Sequence, residues 1–201
     1  MTWKAYLLST CLAFLAGAGA AEPSFDCRKA ASDAEDLICA DAALSALDRR
    51  LAERYTAAVD AVKGLDAGSA DALDNLKARQ RGWIKGRDDC WKAQDLRACV
   101  QDNYLIREAE LVATWMLEEP MARATYICAD NPANELAVFF FDTELPSARL
   151  EYGDSIKPAW LVPAASGSKY ATAFGGSLWT KGDGAAFAWQ EGEPIQCKLA
   201  G

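Results

Sequence analysis

The chain of 201 residues contains no histidine. That removes the commonest general base, the commonest metal ligand and the side chain that titrates near neutrality. Ser-His-Asp hydrolysis, Cys-His hydrolysis and His-based zinc chemistry are therefore excluded. Positive charge is also scarce. There are 21 Lys+Arg against 29 Asp+Glu, a formal charge of -8 with a pI near 4.7. A nucleic acid partner is disfavoured, and a cationic partner is favoured by long-range attraction. Long apolar runs are missing too. The longest, Ala5 to Ala16, is broken by Ser9 and Thr10 and falls short of the ~20 residues a membrane span needs. The 7 cysteines include no Cys-x-x-Cys pair, so neither a metal nor another cofactor is expected. No motif places two of the 29 acids as a catalytic pair, so an enzyme is not expected.

What is present begins with an address. Lys4 supplies a positive start, an apolar stretch follows, and Ala18-Gly19-Ala20 offers the small residues a signal peptidase requires. Residues 1–21 read as a signal peptide, and the mature protein as periplasmic or secreted, without stable membrane insertion. A lipoprotein would need Cys11 as acceptor, but bulky Thr10 precedes it and the charged region is short. Cleavage removes Cys11 and Lys4. That leaves 6 cysteines, and 20 basic against 29 acidic residues, a net of -9. An even cysteine count in an exported chain implies three disulfides.

The mature chain has two periods. From Glu22 to Glu119 it is helical. Ser32-Asp33-Ala34-Glu35 fits a capping box opening a short helix that ends near Cys39. Asp41 can cap a second helix with Leu44, Leu47, Leu51, Tyr55, Val59 and Val62 on its apolar face. A third runs from about Asp71, with Leu73, Leu76, Gln80, Trp83 and Ile84 inward. A fourth begins near Cys99 and carries Tyr104, Arg107, Leu111 and Trp115. Gln80, Trp83 and Arg87 share a stripe that reads as packing around a buried Arg–Asp pair, with Asp48 as the partner across the helices. After Glu118-Glu119-Pro120 the helical spacing stops. Eight short strand-like runs follow between Ala124 and Leu199, separated by turns such as Gly175-Gly176 and Gly182-Asp183-Gly184. That spacing predicts a small antiparallel barrel or sandwich. The fold class is α+β in two segregated domains. A disulfide-linked helical bundle occupies 22–119 and a β domain 120–201.

The cysteines divide with the halves. Cys128 and Cys197 flank the β region, and pairing them closes nearly all of it. For Cys27, Cys39, Cys90 and Cys99, an antiparallel hairpin of the second and third helices would bring Cys39 to Cys90, with Cys27–Cys99 nested outside. Local pairs Cys27–Cys39 and Cys90–Cys99 remain open.

Two family resemblances follow in order. Phe25-Asp26-Cys27, Ile38-Cys39, Leu44-x-x-Leu47-Asp48-x-x-Leu51, Tyr55, Gln80-x-x-Trp83-x-x-x-Arg87-Asp88-x-Cys90, Cys99, Tyr104 and Arg107 together resemble the LprI family of lysozyme-inhibitor domains. Tyr126-Ile127-Cys128, Ala165-Ser166-Gly167-Ser168-Lys169-Tyr170, Trp179-Thr180-Lys181-Gly182-Asp183 and Cys197 resemble the MliC family of inhibitors of c-type lysozyme. The second resemblance implies an eight-stranded antiparallel barrel whose two loops enter the lysozyme cleft. Ser166 and Lys181 are then the inserting side chains, with Gly167, Ser168, Lys169, Tyr170, Thr180 and Gly182 around them. This chain carries one extra residue between the loops, placed at Gly175-Gly176.

The expected function is inhibition of a basic c-type lysozyme. The alternative is a non-inhibitory envelope module that binds peptidoglycan or another envelope component through the helices. By their packing, Tyr170, Trp179 and Trp189 read as barrel core rather than contacts.

Overall fold

A computed structural model describes residues 22–200. The expected signal segment lies outside the described residues. Four helices are followed by eight strands: α1 (Asp33–Ala40), α2 (Ala42–Lys63), α3 (Ser69–Asp88), α4 (Leu96–Trp115), β1 (Ala122–Cys128), β2 (Glu135–Phe141), β3 (Ser147–Tyr152), β4 (Ser155–Val162), β5 (Ser168–Thr172), β6 (Ser177–Lys181), β7 (Gly184–Ala188) and β8 (Ile195–Leu199).

Side-chain caps fix where the helices begin. Ser32 Oγ accepts from the Glu35 amide at 3.2 Å, and the Glu35 carboxylate accepts from the Ala31 amide at 2.8 Å. This is the expected capping box, reaching one residue further back. Asp41 accepts from the amides of Ala43 and Leu44 and opens α2. Asp95 accepts from the Ala98 amide, so α4 starts at Leu96, earlier than the expected Cys99. Leu44, Leu47, Leu51 and Val62 form the buried stripe of α2 and meet Leu76, Tyr104 and Leu111 in one core. Ile84 departs from expectation. It is 37% exposed, because the inward stripe of α3 runs through Leu76, Trp83 and Arg87 instead.

The disulfides correct the preferred helical pairing. Cys27 bonds Cys39 and Cys90 bonds Cys99; neither Cys39–Cys90 nor Cys27–Cys99 forms. The open end of the α2–α3 hairpin does receive α1, but by its first turn. Ser32 donates to Asp88 at 3.1 Å, and Glu35 pairs with Arg87 at 3.1 Å. Cys39 sits at the far end of α1, about 10 Å away by helical rise. It is met there by Cys27, in the 3-10 turn Cys27–Lys29 that runs back along α1. Cys90, in a 3-10 turn after α3, faces the first turn of α4.

The strands close a barrel in simple order, β1 to β8 and back to β1, every pair antiparallel. The eight expected strands are all present. The fourth is longer than its expected Ala159 start, because it pairs through Pro158 with Arg149 on β3. Leu136, Val138, Leu150, Tyr170, Leu178 and Phe187 fill the interior. Cys128–Cys197 joins directly opposed residues of β1 and β8, as expected. The end of α4 lies against the barrel's outer wall. Val112 and Ala113 bury Phe141, leaving it 1% exposed. Arg149 on β3 donates to the Thr114 carbonyl, and Arg50 on α2 bridges Glu108 and Glu144.

Candidate functional site: the paired loops at one end of the barrel

Strand register decides which loops are neighbours. β5 leaves the loop 163–167 at Ser168, and β6 arrives at Lys181 beside it. Ser168 pairs with Thr180 and Lys169 with Trp179. The loop before β5 and the turn after β6 therefore share one end of the barrel. Gly175-Gly176, where the resemblance puts one extra residue, lies in the β5–β6 connection at the opposite end.

Three contacts fasten the first loop to β6. The Trp179 indole N–H donates to the Ser166 carbonyl at 2.7 Å. The Thr180 hydroxyl donates to the Ser168 carbonyl at 3.4 Å. Gly167 has φ +67°, and a Cβ there would drive into the Thr180 carbonyl oxygen and reach 3.3 Å from Lys181 Cβ. Only glycine allows this approach, so Gly167 brings the loop down onto the residues flanking Lys181. Gly182, at φ +57°, opens the two-residue turn that leads from Lys181 to Gly184.

Side-chain direction then sorts the candidates. Leu178 is fully buried, so by the period of two Trp179 points outward and Lys181 with it. Trp179 is 40% exposed. It is not barrel core as expected; it is a support for the Ser166 loop. The signal was available in the sequence, since two adjacent strand residues cannot both face inward. Lys169 lies across from Trp179 on the outer face. Ser166, Gly167, Ser168, Lys169, Thr180, Lys181 and Gly182 are thus collected at one end. Tyr170 is not. It turns inward against Phe140, at 5.5 Å between rings, and burial pushes its phenol pKa up. Trp189 packs inside against Phe187 and Tyr152, as expected.

The electrostatics single out two lysines. The barrel region from Pro120 onward has six cations. Arg149 pairs with Glu151 and Lys198 with Asp130. Lys157 donates to the Trp189 carbonyl, and Arg123 lies over the Phe139 ring. Lys169 and Lys181 have no ion pair or side-chain hydrogen bond among the described residues. Lys181 is exposed at the rim. An unpaired ammonium there keeps its three donors for a partner.

The helical stripe behaves differently. Arg87 is 4% exposed and binds Asp88 at 2.7 Å and Glu35 at 3.1 Å. Asp48 is not its direct partner, contrary to expectation. Asp48 accepts from the Tyr104 hydroxyl at 2.7 Å, and Arg87 donates to that hydroxyl at 3.1 Å. A tyrosine is interposed because Tyr104 on α4 fills the space between α2 and α3. Burial is the main force raising its pKa. Trp83 stacks edgewise on Tyr104 at 5.1 Å and donates to the Asn103 carbonyl at 3.0 Å. This is a satisfied core network.

The geometry on both sides agrees with what family comparison finds. Residues 27–117 match the family model of lysozyme inhibitor LprI, and residues 126–196 that of the membrane-bound lysozyme-inhibitor of c-type lysozyme, MliC. Both families are lysozyme inhibitors, and the chain joins an LprI-like helical unit to an MliC-like barrel in the order expected. Among individual relatives, lipoprotein LprI of Mycobacterium tuberculosis is 29% identical over 147 residues, 73% of this chain and 70% of that protein. The Mycobacterium bovis protein of the same name matches equally. An uncharacterized protein of Rhizobium meliloti is 41% identical over 88 residues, 40% of this chain and 63% of its own. No helix among the described residues is long and apolar enough to cross a membrane.

Proposed function

We propose that the protein is an exported inhibitor of c-type lysozyme that plugs the catalytic cleft with Ser166 and Lys181. The observation that carries this reading is the juxtaposition of the glycine-pinned Ser166 loop with an unpaired, exposed Lys181. Lysozyme presents two carboxyl groups across the scissile bond, one protonated and one ionised. An ammonium on a four-carbon stem reaches the ionised one as a compact cation. Its attraction is ~4 kcal/mol at 4 Å with an effective dielectric near 20, before desolvation. A hydroxyl donates to one carboxyl and accepts from the other. The plug needs no chemistry of its own.

The remaining assignments belong to the same reading. Residues 1–21 are a removed signal peptide, the mature protein is periplasmic or secreted, and the chain divides at Pro120. The net charge of -9 after cleavage steers it toward a basic lysozyme.

Titration calorimetry with a c-type lysozyme tests the plug. Lys181→Ala removes one partner of a desolvated charge pair and weakens binding by ~2–5 kcal/mol. Ser166→Ala removes a hydrogen bond to a charged group, ~1.5–3 kcal/mol. Lys169→Ala, on the outer wall, costs ~1 kcal/mol or less. Circular dichroism should show all three folded. A larger loss from Lys169→Ala than from Lys181→Ala would place the inserting cation on the wrong strand.

A further inference from the structure

The helical unit and the barrel meet along α4, and the seam holds a cleft of about 320 Å³. Leu76, Leu111 and Trp115 line it from the helices, and Ile156 and Pro158 from β4. At its polar side stand Arg79 and Arg107. The Arg107 side chain is 4% exposed. Its Nε donates to Gln80 Oε1 at 3.1 Å, and its Nη1 to Glu110 at 3.0 Å. Its Nη2 is buried with no partner, the one such side-chain atom found among the described residues. Leaving donors on a buried guanidinium without an acceptor is costly, so such an atom calls for an explanation. Arg79 is exposed and has no ion pair or hydrogen bond among the described residues. Glu110 neutralises one of the two guanidinium groups, and the cleft keeps one positive charge in a strongly acidic protein.

A second pocket of about 300 Å³ shares Arg79, Arg107 and Glu110 and ends on Phe174. Phe174 is 90% exposed and sits at φ +64° in the β5–β6 connection. The groove thus runs across the seam toward the barrel end opposite Ser166 and Lys181, with Arg107 between its two parts.

We propose that this seam binds a carboxylate carried on a small apolar group, as at the end of a peptide chain. The carboxylate accepts from exposed Arg79, and from Arg107 Nη2 once that side chain shifts, because Nη2 is closed off from the cleft in this structure; paired guanidinium groups suit a carboxylate. The apolar group rests on Leu76, Leu111, Trp115 and Ile156. The site is separate from the lysozyme loops and does not depend on their role.

The test uses the full mature protein and N-acetyl-leucine as probe, followed by two-dimensional NMR. The indole signals of Trp115 and Trp83 should move in a saturable manner, and that of Trp179 should stay. N-acetyl-leucinamide, without the charge, should bind at least about tenfold more weakly. Acetate, without the apolar group, should be similarly weak. Arg79→Gln, an exposed change that leaves the core intact, should weaken the probe several-fold, and Arg107→Gln should abolish it. A leucine-terminated pentapeptide that binds more tightly than N-acetyl-leucine identifies a peptide end as the source; equal affinity identifies a free acyl amino acid. Equal binding of acid and amide, or a Trp115 signal that does not move, would overturn the proposal.

Discussion

The helical unit buries two arginines, whereas the loop end of the barrel holds two lysines outside. In the helices, Arg87 and Arg107 are each 4% exposed and held by carboxylates, a tyrosine or an amide on neighbouring elements. Arg50 and Arg54 both reach Glu108, itself 6% exposed. In the barrel, Lys169 and Lys181 stand unpaired on the outside, at the end that collects the two loops. Arg87 is held by Asp88, Glu35 and Tyr104 inside the fold, whereas Lys181 has no such partner among the described residues. The overall charge is also divided unevenly. From Glu22 to Glu119 there are 14 basic and 20 acidic residues, a net of -6; from Pro120 onward there are 6 and 9, a net of -3. Most of the charge that would attract a basic partner sits on the unit that does not carry the loops.

Substitution of one cation from each unit should break this contrast most sharply. Arg87→Ala leaves Asp88, Glu35 and the Tyr104–Asp48 pair without their shared partner. Removing one member of a buried ion pair costs ~3–5 kcal/mol. Chemical denaturation should show that loss, while Lys181→Ala should leave stability within ~0.5 kcal/mol of the parent. A stability loss of the Arg87 size from Lys181→Ala would mean that the rim lysine is part of the fold.

Disulfide removal sharpens the comparison at the level of chain entropy. Cys128–Cys197 spans 69 residues, against 12 for Cys27–Cys39 and 9 for Cys90–Cys99. The loop-entropy model gives about 4 kcal/mol for the first and about 3 kcal/mol for each of the others. Thermal unfolding of the paired Cys→Ser variants should rank them in that order. Equal losses would mean that strain or residual structure outweighs loop length.

The smallest effect concerns the start of α2. The Arg97 guanidinium, at 2.7 Å, and the Leu44 and Ala43 amides hold the Asp41 carboxyl below the usual carboxylate range. A depressed folded pKa contributes stability above the unfolded value, ~4, that is lost as the pH falls through the folded value. Asp41→Asn keeps the cap but loses the exposed pair, for ~0–1 kcal/mol at neutral pH. The difference from the parent should shrink on acidification. A difference that grows instead would reverse the assigned sign.

Much of this architecture could be read from residue order. Caps at Ser32 and Asp41, the leucine stripe of α2 and the alternation of apolar and turn residues after Pro120 are local patterns, and they placed all twelve elements. What escaped was set by elements distant in the chain. The pairing of Cys39 depended on which end of α1 meets α3. The partner of Arg87 depended on Tyr104 from α4 entering between Asp48 and the guanidinium. Pro158 stays within β4 because β3 pairs across it. For the loops, the resemblance named the residues, but only the register shows Gly167 seated between Thr180 and Lys181. Trp179 could have been recognised as outward-facing from Leu178 alone.

The most direct measurement asks whether the loops occupy the lysozyme cleft. Binding of the full protein to a c-type lysozyme should be followed while a chito-oligosaccharide that fills the cleft is titrated in. If Ser166 and Lys181 enter the cleft, the sugar and the protein exclude each other, and the apparent affinity falls in proportion to sugar occupancy. Simultaneous binding of sugar and protein with unchanged affinity would contradict the account.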